Sequence, residues 1–571
     1  MTVVRSNPFS IEVAEPSALA QLRFETATPE QIGIYMPLGT ALPLEARATV
    51  RYRAAGASDW REAHPLFRLN PEWVTGGAPE AVVDALAGSL FDLAPGATYE
   101  VEVTIEAPGV SETFRSVTST RALPDAAGAP TVRGSDADDL QALLDGLTPG
   151  DVLELAEGTY EAAGLQLQVS GTRAAPIVIR GASRDGVVLH AASGRVLQVL
   201  EASHVVIEDL TLRGSGMDSG TSASSVGIAF WNGASQSHLT FRRLTIEGVD
   251  KGVVASGPTA SILVYECILN GNNVWEESFI ETNATWNDDG VRLPGQGNCV
   301  FQCTLGGFGD TLAVDNGTFS AAVYFYRNRI TMTGDDACEG DYGTRNLGFY
   351  DNHVQNCATL LSLDPLWGGP LYCFRNVCVN TIRGPFKLND TNCGFAIYNN
   401  TILRTEGTSG WAWVQFNNGA LRNWSFRNNI LYYEGDGRLL AIESAGCDPI
   451  DFSHNGFFPD GAVWWSRTGG SYGSFADAAA GVPETTPVFG EATRRHADDR
   501  ILDAGTFEAA SPLGAGHRDE VTSLYMPTLT AGSSARGAGT PIPNITDGHA
   551  GSAPDLGALL AGRDLPRWGA S

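Results

Sequence analysis

No apolar run reaches the roughly 18 residues that a membrane-spanning helix needs, so no membrane span is expected. Basic residues are scarce: 37 Lys and Arg stand against 65 Asp and Glu, a net charge of −28 over 571 residues. A chain this acidic repels nucleic acid and anionic membrane. Cysteine comes to nine, an odd number, with no CxxC pair and no His-rich spacing. That argues against a disulfide framework and against zinc. The cysteines fall between Cys267 and Cys447, mostly at strand positions, and read as small buried hydrophobes. The opening MTVVRSNPFSIEVAEP lacks the basic-then-apolar order of a secretory signal. Export by another route, a trimmed start and residence inside the cell all stay open.

What the chain does have is a period. Asn328, Asn352, Asn376, Asn400 and Asn428 recur at intervals of 24, 24, 24 and 28 residues. Two residues before each stands an aromatic (Tyr326, Tyr350, Phe374, Tyr398, Phe426), and two after each a small or β-branched apolar residue (Ile330, Val354, Cys378, Ile402, Ile430). A fixed repeat of this length signals a solenoid, propeller or array. The unit shows short period-2 apolar stretches, turn residues and no helical stripe, so stacked β-coils are expected, each burying its apolar face against its neighbours. The asparagines then form a buried amide ladder that fixes the register.

Three segments frame the coils. Residues 1–122 read as a small β-sandwich, with alternating strands in ATVRYRAAG and TYEVEVTIEAP and Trp60 expected in its core. Residues 93–101 (LAPGATYEV) resemble the tyrosine corner of fibronectin type III domains. A linker over 123–134 follows, then a helical pattern over 135–147 that would cap the open end of a coil stack spanning 135–460. The opening DVLELAEGTYEAAGLQLQVSGTRAAPIVIRG and the closing GSAPDLGA resemble bacterial right-handed parallel β-helix proteins of the pectin lyase-like superfamily. That resemblance implies an all-β chain, a right-handed parallel β-helix preceded by the sandwich, with 461–571 packing on or capping it. Many such proteins degrade polysaccharides.

With the anchors aligned, one strand can be followed across the coils at 290–294, 311–315, 337–341, 360–364, 385–389, 413–417 and 439–443. Its second and fourth positions are almost all apolar and point inward; the third and fifth point out. The third reads Arg292, Ala313, Glu339, Ser362, Lys387, Gln415, Ala441, and the fifth Pro294, Asp315, Asp341, Asp364, Asn389, Asn417, Glu443. Asp315, Asp341 and Asp364 thus stack about 4.8 Å apart. At that distance like charges raise one another's pKa or take a cation between them, with Ca²⁺ the candidate. A second column, Asp289, Asp310 and Asp336, lies just before the strand, with Asp288 and Asp335 beside it.

This text (Asn287-Asp288-Asp289-Gly290, Gly309-Asp310-Thr311, Gly334-Asp335-Asp336) is similar to that of polygalacturonase-type glycoside hydrolases, which carry Asn-Thr-Asp-Gly and then Asp-Asp on neighbouring coils. The resemblance maps Asp289 to the first motif and Asp310 to the second Asp of the pair, whose first Asp is here Gly309. The family's Gly-His-Gly is absent, and its Arg-Ile-Lys is echoed only by Arg383 and Lys387. Two chemistries fit. Stacked Asp residues can supply the protonated acid and the carboxylate base of a hydrolase. Alternatively, Lys387 or Arg383 is the base of a β-elimination, with Asp315, Asp341, Asp364 and Glu339 as Ca²⁺ ligands. A structural Lys387 would instead pair with Asp364 or Glu339.

Trp286, Trp367 and Trp413, with Trp275 and Trp411, are candidate platforms for sugar rings, and Arg292, Glu339 and Gln415 are candidate substrate contacts. The segment 270–287 lengthens its coil and is expected to wall a groove. The expected partner is a polysaccharide, and the acidic groove disfavours a polyanion unless Ca²⁺ or Lys387 and Arg383 offset the repulsion. A virion tailspike or tail fibre that attaches to glycans, usually a homotrimer, is the alternative, with the N-terminal domain as its adaptor.

Overall fold

The coil pattern becomes two long parallel sheets, one running from Val132–Gly134 to Arg495–Ala497 and the other 21 strands long. The computed structural model describes residues 17–571 apart from 45, 75–81, 127, 217–224, 232–235, 273–287, 315–318, 391, 406–413, 416–419, 435–439, 443–445, 448–449, 461–462, 466–469, 478–494 and 515–518. Almost every described element is a strand, and the architecture is a parallel β-solenoid carrying a small β-sandwich-like region at its N-terminal side. No described helix is long and apolar enough to cross a membrane.

The ladder forms, with one correction. In each rung the Oδ1 of one Asn accepts from both the backbone N–H and the Nδ2 of the Asn on the preceding coil. The series runs Asn328, Asn352, Asn376, Asn400, Asn429, Asn455 and ends on Asp499. Asn429, not Asn428, holds the fifth rung. The chain offers consecutive asparagines at 399–400 and 428–429, and the coil between them is longer than its predecessors. Asn428 instead sits at φ 59° and donates to Asn399 Oδ1, 3.0 Å away. The shift also moves Phe426 inward, beneath Ile397 and stacked on Phe452 at 4.8 Å, while Arg427 follows Tyr398 on the outside.

The residue before each rung is left-handed: Arg327, Asp351, Arg375, Asn399, Asn428 and His454 all have φ between 49° and 59°. This is an uncommon conformation for a side chain with Cβ. Here it turns the coil and aims these side chains outward. The aromatics preceding them stack as a column, Tyr265, Phe301, Tyr326, Tyr350 and Phe374, at 4.6–5.1 Å between neighbouring centroids. An aromatic column facing water would be a large apolar patch. It is covered instead by the N-terminal region.

That region has two four-stranded sheets. Its core holds Tyr52, Val101, Val103 and Phe114. Tyr99 Oη accepts from the N–H of Ala94, 2.9 Å away, the bond that a tyrosine corner makes. Trp60 is not in this core; it falls in the turn before Arg61–Ala63 and lies under the guanidinium groups of Arg51 and Arg53. Phe67 and Phe91 dock on the aromatic column, each fully buried. Burial of this kind is worth about 1.5–3 kcal/mol per ring. His64 reaches Tyr398 Oη at 3.1 Å. The linker is pinned too, since the carbonyls of Pro124 and Asp125 accept from Arg242.

At the start of the coils the helix is shorter than its pattern, Leu140–Asp145, because Asp138 closes a turn on Ser135 and Asp139 caps the helix by accepting from the Ala142 N–H. Leu140 and Leu144 cover the first coils. At the other end the chain turns back along the outside of the stack. Asp519 and Val521 meet Asn380 and Asn356, and Tyr525 meets His353. Gly557 meets Asn399, Trp568 donates to the Asp351 carbonyl, and the Ser571 carbonyl accepts from Arg184.

Candidate active site

Six neighbouring strands carry the outward row: Asp289–Arg292, Asp310–Ala313, Arg329–Glu339, His353–Leu363, Phe386–Leu388 and Val414–Gln415. Their pairing is Val291, Leu312, Cys338, Leu361, Phe386, Val414, the register read from the sequence. Val291 through Phe386 are buried in the solenoid core. Arg292, Ala313, Glu339, Ser362 and Lys387 therefore share the outer face. Gln415 continues that register in its backbone.

Asp289, Asp310 and Asp336 sit at the corner where each coil enters this strand, and all are at most 2% exposed. Asp289 pairs with Asp310 across the sheet, and the N–H of Asp336 donates to Asp310 Oδ1 at 3.1 Å. Cations serve the two outer members. Arg292 meets Asp289 at 3.1 Å, and Lys387 Nζ meets Asp336 Oδ2 at 3.3 Å. The flanking acids are paired as well, Asp288 with Lys251 at 3.3 Å and Asp335 with Arg383 at 2.9 Å. Among the described residues no ion pair involves Asp310.

Lys387 reaches back two coils, to Asp336 rather than to Asp364 or Glu339. It can do so because the position between is the small Ser362, whose hydroxyl turns to Asp341 Oδ1 at 2.9 Å. Lys251 was missed by sequence reasoning, and Ser362 stood in the outward column without a role. Extending the same alignment one coil upstream finds Lys251, which precedes Val253 by two residues as Asp289 precedes Val291.

Burial sets the electrostatics. It pushes Asp310 well above the usual carboxylate range, and the charges of Glu339, Asp336 and Asp335 push the same way. Burial and Asp335 raise Asp336 to about 6 against the pull of Lys387 and Arg383. Asp341 rises to about 8, again through burial first, with Asp336 and Asp364 adding to it and Lys387 opposing. Burial works against the Lys387 charge, but Asp336, Asp335 and Asp341 outweigh it and hold the ammonium above its ordinary value. Lys387 is thus kept protonated.

Of the acids expected to share a cation, Asp341 is bonded to Ser362, Asp364 accepts from Asn389 at 3.1 Å, and Asp315 lies outside the described residues. Glu339 converges with Asp310 and Asp336, their carboxylate oxygens within 4.8 Å of one another, and among the described residues Asp336 Oδ1 is buried without a hydrogen-bond partner. Three hard oxygen donors suit a cation such as Ca²⁺.

The tryptophans divide. Trp275, Trp286, Trp411 and Trp413 lie outside the described residues. Trp367 is 4% exposed and packs on Tyr342 at 5.1 Å, so it offers no open face to a sugar. A solenoid corner covered by neighbouring loops buries a Trp as readily as it presents one.

No protein-family model matches the chain, and no curated protein matches it. Solved structures do. A mannuronic acid specific family 6 polysaccharide lyase from human gut microbiota aligns at 15% identity over 58% of this chain and 81% of its own, TM-score 0.32. A family 6 polysaccharide lyase from Pseudopedobacter saltans aligns at 11% identity over 68% and 97%, TM-score 0.33. The catalytic domain of a GH87 α-1,3-glucanase, in complex with nigerose, aligns at 13% identity over 78% and 91%, TM-score 0.30. Scores this low carry neither substrate nor mechanism across. They pair this chain with lyases and a hydrolase alike.

Proposed function

We propose that the chain cleaves glycosidic bonds of a polysaccharide by hydrolysis at the Asp289–Asp310–Asp336 row. The observation that carries this reading is the unequal treatment of three like side chains. Asp310 is buried between two acids, with no cation among the described residues, and burial together with its acidic neighbours raises its carboxyl well above the usual range. Asp289 and Asp336 each face a cation. A glycosidase needs this division: one carboxylic acid to protonate the leaving oxygen and one carboxylate to activate water or attack the sugar. Asp310 is the acid. Its neighbours on the adjoining coils supply the carboxylate. Membership of the pectin lyase-like superfamily and a fibronectin type III identity for the N-terminal sandwich belong to the same proposal, supported by the coil pattern and the Tyr99 corner bond.

The base of an elimination must be deprotonated, and Lys387 is held protonated while Arg383 is committed to Asp335. One observation nevertheless favours a metal-assisted variant, the convergence of Asp310, Asp336 and Glu339. Those three would hold a Ca²⁺ ion, which would supply charge to screen an acidic sugar. Incubation with polysaccharides, read for reducing ends and for the ultraviolet absorbance of an unsaturated product, with and without EDTA, separates the readings. Reducing ends without absorbance, insensitive to EDTA, are expected. Unsaturated product lost on EDTA treatment would replace hydrolysis with elimination.

A further inference from the structure

We infer that the groove takes an uncharged polysaccharide, not a polyuronate or a sulfated chain; this rests on the hydrolytic reading above and names its substrate. The cations that line the row, Lys251, Arg292, Arg383 and Lys387, each face a carboxylate of the groove, at 2.9–3.3 Å. Each is therefore neutralised from within. Glu339 and Asp364, both half-buried, add acids beside these pairs. An anionic sugar would have to displace a groove carboxylate from its cation in order to bind. It would then leave that carboxylate exposed to its own charge.

The test is affinity electrophoresis of the full chain through gels that contain one polysaccharide each. The neutral set is α-glucan, β-glucan, mannan, xylan and galactan; the acidic set is alginate, polygalacturonate and hyaluronan. Both sets are run in EDTA and in Ca²⁺. Retardation by at least one neutral polysaccharide and by no acidic one, in either buffer, is the expected result. Retardation by an acidic polysaccharide alone overturns the inference, and its dependence on Ca²⁺ would show whether a metal bridges the charges. No retardation in any neutral gel overturns it as well. Asp288→Asn removes one acid and releases Lys251, and should gain retardation in an acidic gel; no gain counts against exclusion by charge. Reducing ends are measured separately. A neutral polysaccharide bound but not cleaved would remove hydrolysis and leave the substrate class standing.

Discussion

Two clusters of acids, one beneath the N-terminal domain and one in the groove, are paired in opposite ways. Beneath the N-terminal domain, Asp92 and Asp351 meet Arg375, with Arg327 and Arg563 alongside Asp92. Burial would raise Asp92, but Arg375, Arg563 and Arg327 outweigh it and hold the carboxyl far below its ordinary range. In the groove, burial wins at Asp310, Asp336 and Asp341. Asp351, 3% exposed, is as deep as the groove acids but meets the Arg375 guanidinium, so what separates the two clusters is the number of guanidinium groups per carboxylate, since a buried charge persists only where it is fully paired. The first cluster joins three parts of the chain, while the second keeps protons available.

The largest effect should come from the groove. Asp310→Asn is expected to lower turnover at least about 100-fold, the usual worth of a general acid, with the melting temperature unchanged or raised. Retained activity in a reducing-end assay would break the contrast at its centre. Next, Arg375→Met takes from Asp351 its close guanidinium partner and leaves Asp92 to Arg327 and Arg563; a loss of about 3–5 kcal/mol is expected, read as a lowered thermal midpoint with the groove chemistry intact. A midpoint that stays put would mean that the interface is not held by this network. Asn376→Leu removes one rung and orphans groups above and below it, and should cost about 1–3 kcal/mol in chemical denaturation.

The effect that is smallest at any one pH step is a slope. Asp341 has a folded pKa near 8, above the value of about 3.9 for a free Asp, so its contribution is full at acid pH and is lost as pH rises through 8. Over that window the folded state holds the extra proton, and stability should fall by up to about 1.4 kcal/mol per pH unit for this group. Asp341→Asn should flatten the dependence of melting temperature on pH as pH rises toward about 8. An identical slope in the variant would assign the protons elsewhere.

Most of the solenoid was legible because its information is local and repeated. A period and an alternation locate Val291, Leu312, Cys338, Leu361 and Phe386 in one inward column without any structure. The reading failed where two residues of one type adjoin, as at Asn428 and Asn429, since the pattern cannot choose between them. It also failed where position depends on contacts that do not repeat. Nothing in the local sequence of Trp60 or Trp367 says whether a guanidinium or a loop will lie against it. The candidate site was legible as a row of acids but not as a set of pairs. The reach of Lys387 to Asp336 depends on the size of Ser362, a residue that the column shows without explaining.

The returning C-terminal segment changes what kind of object this solenoid is. In an ordinary repeat array each unit touches only its neighbours, so units can be added, deleted or frayed one at a time. Here a single strap touches the coils of Asn399, Asn380, Asn356 and Asp351 and reaches Arg184. Its contacts are spaced to a fixed number of coils. Inserting or removing one would slide every later contact out of step. The array is therefore closed to growth by duplication, and its unfolding should be one cooperative event rather than a coil-by-coil unwinding.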